Sequence, residues 1–312
     1  MRSMRRVLAD TLHWVSLVSG GALRRAKSQR SARILAYHGV SADEVAAEIF
    51  SWQLAFLKQN FELISLRELL SRRAGGTIQG DEVAITFDDG IRNHFTVAYP
   101  ILVTHGAAAT FFVCPALIDS GEWIWNHELR CRLNLLKPAE CVALMTEIGA
   151  TSSEVESLVT RAKWLNQEER QHVEAWVRER PRGFAPSTQQ LDRYSPMTWK
   201  QIAALDLGLI TIGSHTLHHP ILSRLSTDDL HIEIGESRRI LEQRIGREVD
   251  LFCYPNGDFD ERVQRIVREY YAAAVTSQIR VVGPGDDDCL LPRIPSGETR
   301  GLFVRRLHRH NA

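Results

Sequence analysis

The sequence predicts an α/β protein built on a parallel sheet, and three observations carry that reading. Short, continuous apolar runs recur, such as Val83-Ala84-Ile85-Thr86-Phe87 and Ala109-Thr110-Phe111-Phe112-Val113. Longer stretches with apolar residues at helical spacing separate them, such as Leu230, Ile234, Leu241 and Ile245. Runs apolar on both faces belong to strands buried on both sides, and their alternation with helices belongs to a parallel arrangement. Finally, the polar clusters His38, Asp88-Asp89, His215 and Tyr254-Pro255-Asn256-Gly257 each follow an apolar run. α/β barrels gather their active sites at that end of the strands.

The elements follow in order. Residues 1–30 form an N-terminal amphipathic, basic segment. Met4, Val7, Leu8, Leu12 and Val15 recur at helical spacing between Arg2, Arg5, Arg6, Arg24 and Arg25. Asp10 and His13 interrupt any apolar core that a secretory signal would need. No stretch is long and apolar enough to read as a membrane span. The reading is a helix packed on the domain; a membrane-surface helix making peripheral contact through residues 1–25 is the sharper alternative. The expected location is the cytoplasm or its membrane surface.

Residues 31–312 read as one domain. Arg33–Tyr37 is a strand, helices cover about 45–59 and the stretch after Ser65, and Ser65 with Glu68 is a capping-box signature. Val83–Phe87 is a buried strand, a helix covers about 91–105, and Ala107–Val113 is the next strand. Residues 120–198 carry charged helical periods at 137–148, 152–163 and 166–179 without a convincing strand, and read as a helical insertion. Strands resume at Leu209–Ile212 and Asp250–Tyr254, with helices after Ser226 and Asp260. Ala272–Thr276 and Leu290-Leu291 are the last strand candidates.

Composition excludes several classes. The 312 residues carry 38 Lys+Arg and 38 Asp+Glu, so the basic excess of a nucleic-acid binder is missing. Five cysteines without a Cys-x-x-Cys pair argue against a disulfide framework or a structural zinc cage. They read as buried free thiols in a reducing compartment.

Asp88 and Asp89 follow a strand directly. Successive strand residues face opposite ways, so a turn at Gly90 is needed to bring both carboxylates to one rim. Two carboxylates so close divide their work, one ionised on a cation and one serving as a base. His215 and His219, four apart in His-Thr-Leu-His-His-Pro, suit zinc, cobalt, nickel or iron. Two His and one Asp leave coordination positions open, as a catalytic metal requires. His218 is expected to point away or to support the ligands. Tyr254-Pro255-Asn256-Gly257 has turn chemistry, with a backbone N–H suited to a developing oxyanion. Trp123 and Trp125 suit stacking on a sugar ring or packing at the barrel rim.

Taken together, Thr86-Phe87-Asp88-Asp89-Gly90, Ala109–Val113, Gly213–Pro220 and Tyr254–Gly257 resemble the polysaccharide deacetylase family, carbohydrate esterase family 4 or NodB-homology domain, over about residues 31–296. The resemblance implies a distorted (β/α) barrel. It implies removal of N-acetyl groups from an N-acetylhexosamine-containing polysaccharide or glycolipid precursor, aided by one divalent metal, with zinc first and cobalt, nickel or manganese as alternatives. Asp88 matches the family's base; Asp89, His215 and His219 match its metal ligands. The backbone N–H of Asn256, beside Tyr254, would hold the oxyanion.

Two departures stand out. Cys253 occupies the position of the family's Arg, and Asn256 that of its aromatic. The late acid His has no counterpart after residue 290, since His308 and His310 lie among arginines. Leu35-Ala36-Tyr37-His38-Gly39 instead resembles members with circularly shifted motifs, which makes His38 the candidate acid. Arg293, between prolines in a late apolar run, is the candidate substitute for the missing Arg. Competing readings are a 2-His-1-carboxylate iron oxygenase, a two-carboxylate glycosidase and a non-catalytic carbohydrate-binding relative.

Overall fold

A computed structural model of the chain describes residues 30–180 and 183–307. The N-terminal segment ahead of Arg30, and with it the proposed membrane-surface helix, lies outside the described residues, as do His308 and His310. No helix among the described residues is long and apolar enough to cross a membrane.

The strands are β1 (Arg33–Tyr37), β2 (Glu62–Leu63), β3 (Glu82–Phe87), β4 (Ala109–Val113), β5 (Ile210–Ser214), β6 (Leu251–Cys253), β7 (Ala273–Val275) and β8 (Ile294–Pro295). They pair in the order β7-β6-β5-β4-β3-β1-β8, with β2 branching from β3. Every pairing is parallel. The sheet curls, and residues 291–295 cross its gap. Leu291 bridges in parallel to Val275 of β7, while Ile294 and Pro295 pair with Leu35 and Ala36 of β1. This is the curled parallel sheet of a distorted (β/α) barrel.

The helices are α1 (Ala47–Asn60), α2 (Leu66–Ala74), α3 (Tyr99–His105), α4 (Pro115–Ser120), α5 (Trp125–Leu133), α6 (Pro138–Ile148), α7 (Val155–Ala162), α8 (Gln167–Glu179), α9 (Thr188–Tyr194), α10 (Trp199–Ala203), α11 (Thr227–His231), α12 (Ser237–Ile245), α13 (Glu261–Tyr270) and α14 (Arg300–Leu307). Ser226 and Asp260 each accept from the backbone N–H three positions on, Asp229 and Val263 respectively. These caps satisfy donors that a helix start leaves open. Ser65 caps α2 in the same way, but Glu68 turns to Arg72 rather than back to the cap. The expected reciprocal box is therefore only half formed.

Strand parity sorts the core. Leu35, Tyr37, Val83, Ile85, Phe87, Phe111 and Ile212 face outward into one large cluster under the helices. Ile34, Ala84, Phe112, Leu251, Cys253 and Val275 face inward and fill the barrel. Between β4 and β5 the chain builds helices α4 to α10, and Leu129, Leu144, Leu158 and Val173 of this stretch close a separate cluster.

Three elements differ from the sequence reading. Residues 91–105 begin as a π-helical turn, His94–Ala98, before α3. A second π-helical turn, Ile232–Glu236, interrupts the long helix between α11 and α12. Leu290 ends a short 3-10 turn, and the last strand proper lies four residues beyond it. β2 was not legible, because two residues carry no periodicity.

Candidate active site

The same parity that fills the barrel positions the site. His38, Asp88 and His215 each stand one residue past a strand end, on the inward parity of β1, β3 and β5. They therefore point into the barrel mouth, where a cleft of about 450 Å³ opens. Asp89 has the opposite parity and would point away. It is turned back by its own backbone, at φ 74°, followed by Gly90 at φ 62°. The turn thus begins one residue earlier than the sequence suggested. Gly90 is nonetheless required, since a Cβ there would sit 2.8 Å from Val113 in a left-handed conformation. Thr216, His219 and Asn256 also have positive φ. Three of the five such non-glycine residues among those described, Asp89, His219 and Asn256, therefore line this cleft, and strained backbone gathers where function demands a geometry.

Asp88 and Arg293 form a closed fork. Arg293 Nη1 donates to Oδ1 and Nη2 to Oδ2, both at 2.7 Å. The remaining guanidinium donors reach the Thr276 carbonyl at 2.9 Å, Thr86 Oγ1 at 3.0 Å and Cys253 Sγ at 3.3 Å. Both partners are buried. Burial alone would raise the Asp88 carboxyl, but the Arg293 charge and hydrogen bonds override it and bring it down to about 2. Cys253, at the family's Arg position, lies 3.4 Å from Asp88 Oδ1, and burial pushes its thiol up. A guanidinium from the residue just ahead of β8 thus fills the space that the thiol leaves.

Asp89 Oδ1 lies 3.5 Å from His215 Nε2 and 3.5 Å from His219 Nε2. His215 Nδ1 donates to the Cys253 carbonyl at 2.7 Å, which fixes the ring with Nε2 on the Asp89 side. Burial, followed by the neighbouring His215, lowers His219 to about 3, so it is neutral. Two imidazole nitrogens and a carboxylate oxygen facing one another suit a cation between them. The three ligand atoms lie within 4.8 Å of one another, and a carbonyl orients one of them from behind, as in metal sites. The residues therefore fit a divalent ion. Asp88, His215 and Cys253 form an overlapping group. It is the poorer cage, because Arg293 already occupies both Asp88 oxygens and a thiol held protonated ligates weakly.

Both π-helical turns serve this mouth. From the first, His94 Nε2 donates to the His38 carbonyl at 2.6 Å. Just before it, Asn93 clamps both backbone groups of Val40. From the second, Glu233 accepts from the backbone N–H groups of Leu217 and His218 and from His218 Nδ1. That clasp fixes the loop carrying His215 and His219, and turns the exposed His218 ring away from them. Single π turns often mark functional sites, because they push one residue out of helical register.

Tyr254 and Asn256 line the cleft beside these groups. Asn256 Oδ1 accepts from Lys163 Nζ at 2.8 Å, so the helical stretch reaches across the mouth. Asn126, His127, Arg130 and Lys163 all line the cleft, and sequence reasoning had singled out none of them. Of the roles open to them, Trp123 and Trp125 take packing, and neither lines the cleft. Trp125 packs in the cluster of the helical stretch beneath Arg170, and the Trp123 indole donates to Ser195 Oγ. Burying two indoles stabilises these helices more than an exposed wall would.

Comparison with known proteins agrees with this architecture. The sequence model of a family described as polysaccharide deacetylase matches residues 75–275. No curated protein sequence matches the chain. Among solved structures, the Streptococcus pyogenes deacetylase PplD, in complex with acetate, is 18% identical with a TM-score of 0.61, covering 89% of this chain and 96% of its own. IcaB from Ammonifex degensii is 18% identical with a TM-score of 0.59, covering 89% and 95%. The BpsB deacetylase domain from Bordetella bronchiseptica is 14% identical with a TM-score of 0.56, covering 86% and 96%. At these identities the likeness is one of fold.

Proposed function

The chain belongs to the polysaccharide deacetylase family, and from that premise we propose that it removes N-acetyl groups from N-acetylhexosamine units of a polysaccharide or glycolipid precursor, with one divalent cation held by Asp89, His215 and His219. The observation that carries this reading is the convergence of those three ligand atoms beside the Asp88–Arg293 fork in one open cleft. When bound, the cation supplies Lewis acidity and brings the pKa of a water to about 7. Zinc suits the nitrogen and oxygen donors best, with cobalt, nickel or manganese as alternatives.

The chain's own residues do the rest. Asp88, held ionised by Arg293, accepts a proton from the attacking water as its oxygen bonds to the acetamide carbon. The backbone N–H of Asn256, beside Tyr254, faces the oxygen that becomes negative. His38 gives a proton to the amide nitrogen as the C–N bond breaks, leaving acetate and a free amine. His38 is exposed at the cleft, while its carbonyl is fixed by His94, so its ring can approach substrate from a stationary backbone.

The deciding experiment measures acetate release from a panel of N-acetylhexosamine oligomers and glycolipids, with and without added metals. Release that depends on metal supports the proposal; release that a chelator leaves untouched overturns the cation. Elemental analysis should find about one metal per chain. His215→Ala and His219→Ala should each lose it, and full metal and activity in both variants would remove this site. His38→Ala should lower turnover by about 10²-fold with metal content unchanged. Wild-type turnover in that variant would give the acid role to another group.

A further inference from the structure

Asp89 offers two oxygens, and the histidine pair faces only one. Oδ1 looks toward His215 and His219, whereas Oδ2 lies 3.4 Å from His127 Nε2. His127 comes from α5, outside all four barrel motifs, and its partly exposed ring lines the cleft. Its orientation is set from behind. The imidazole stacks on Tyr194 of α9, with centroids 4.9 Å apart and planes at 26°. Tyr194 in turn packs against Trp123, at 5.3 Å, and under the Arg193 guanidinium. The partly buried aromatic wall of the helical stretch thus aims one ring nitrogen at one carboxylate oxygen.

We propose that His127 is a positioning residue for Asp89. It donates Nε2–H to Oδ2 and leaves Oδ1 alone to ligate, so that the carboxylate binds through a single oxygen. The proposal rests on the metal reading of Asp89, His215 and His219. Three features support it. A free carboxylate rotates and can present both oxygens to a cation, and a donor fixed on one oxygen removes that freedom. His127 does not belong to the group of ligand atoms lying within 4.8 Å of one another, so it stands behind the ligand rather than among the ligands. Outer partners of this kind also strengthen metal sites, and their loss costs about 10–100-fold in affinity. The helical stretch, which supplies no residue to the base or to the ligand set, thereby acquires a part in metal binding.

The test is metal affinity rather than activity. The metal-free full chain is titrated with zinc in competition with a chromophoric chelator, and the cobalt form is examined by visible absorption. His127→Phe keeps a ring against Tyr194 but has no donor; His127→Gln keeps an amide donor without the ring. The expected result is a 10–100-fold loss of zinc affinity in His127→Phe, with His127→Gln recovering most of it. The cobalt spectrum of His127→Phe should shift as the second oxygen of Asp89 becomes free to ligate. Wild-type affinity in His127→Phe overturns the proposal while leaving the three-ligand site intact. Loss as complete as in His215→Ala would make His127 a ligand and also overturn it. Absence of zinc binding in the wild type would instead defeat the underlying reading.

Discussion

Asp88→Asn is expected to lower turnover by about 10²–10⁴-fold while the metal stays bound. The substitution keeps the shape of the side chain and removes the charge that accepts the proton. Its metal neighbours are untouched, because both Asp88 oxygens are engaged by Arg293 rather than by the histidine pair. Arg293 opposes the effect of burial and holds the Asp88 carboxyl below its ordinary value. The benefit is a base that is in its accepting form at every working pH. Metal content by elemental analysis and turnover should be measured on the same sample. Loss of metal from Asp88→Asn would show that the two neighbouring aspartates share or exchange their roles.

Arg293→Ala should damage both stability and chemistry. Removing one partner of a buried ion pair leaves an uncompensated charge and typically costs about 3–5 kcal/mol. Asp88 and Arg293 are only 4% exposed each, so water cannot readily replace the lost contact. Urea unfolding reads this cost. The pH dependence follows from sign. In the wild type the depressed Asp88 contributes stability that is present above its ordinary 3.8 and is lost as pH falls toward about 2. Without Arg293, burial is opposed only by His215 and His38, and the carboxyl rises from its depressed value. The acid limb of the kcat/KM profile should therefore move to higher pH, with metal retained. Arg293→Lys keeps a charge but not the fork, and should fall between the two. Full activity and an unmoved acid limb in Arg293→Ala would remove the role.

What the sequence revealed and what it hid follow from physical range. Val83–Phe87 and Ala109–Val113 were legible because inward and outward positions are both apolar, which leaves a continuous run. Asp88, His215 and His38 were legible because each directly follows such a run. The missing Arg at position 253 pointed to Arg293, since a buried carboxylate needs a partner and few buried arginines end strands. His127, Arg130 and Lys163 were not legible. They lie on amphipathic helices, where a charged residue reads as solvent-facing, and only the packing of α5 and α7 against the mouth turns them inward. Trp123 and Trp125 stayed open between a sugar and the core, because an indole serves both until its neighbours are known. The π-helical turns at His94 and Ile232 were hidden too, because one extra residue barely alters an apolar period.

The segment 291–295, which crosses the gap in the sheet, also governs when the molecule becomes an enzyme. Asp88 and Arg293 are separated by 205 positions in the chain. During synthesis the seven strands β1 to β7, with His215 and His219, emerge first and can begin to assemble N-terminus first. Until the closing segment arrives, the Asp88 carboxylate has no fork and the barrel mouth has no seam. Such late, long-range closure is intrinsically slow, because the chain entropy of joining distant segments is lost before the contacts form. A chain without its closing segment therefore lacks the fork that tethers Asp88, however complete the rest of its sheet.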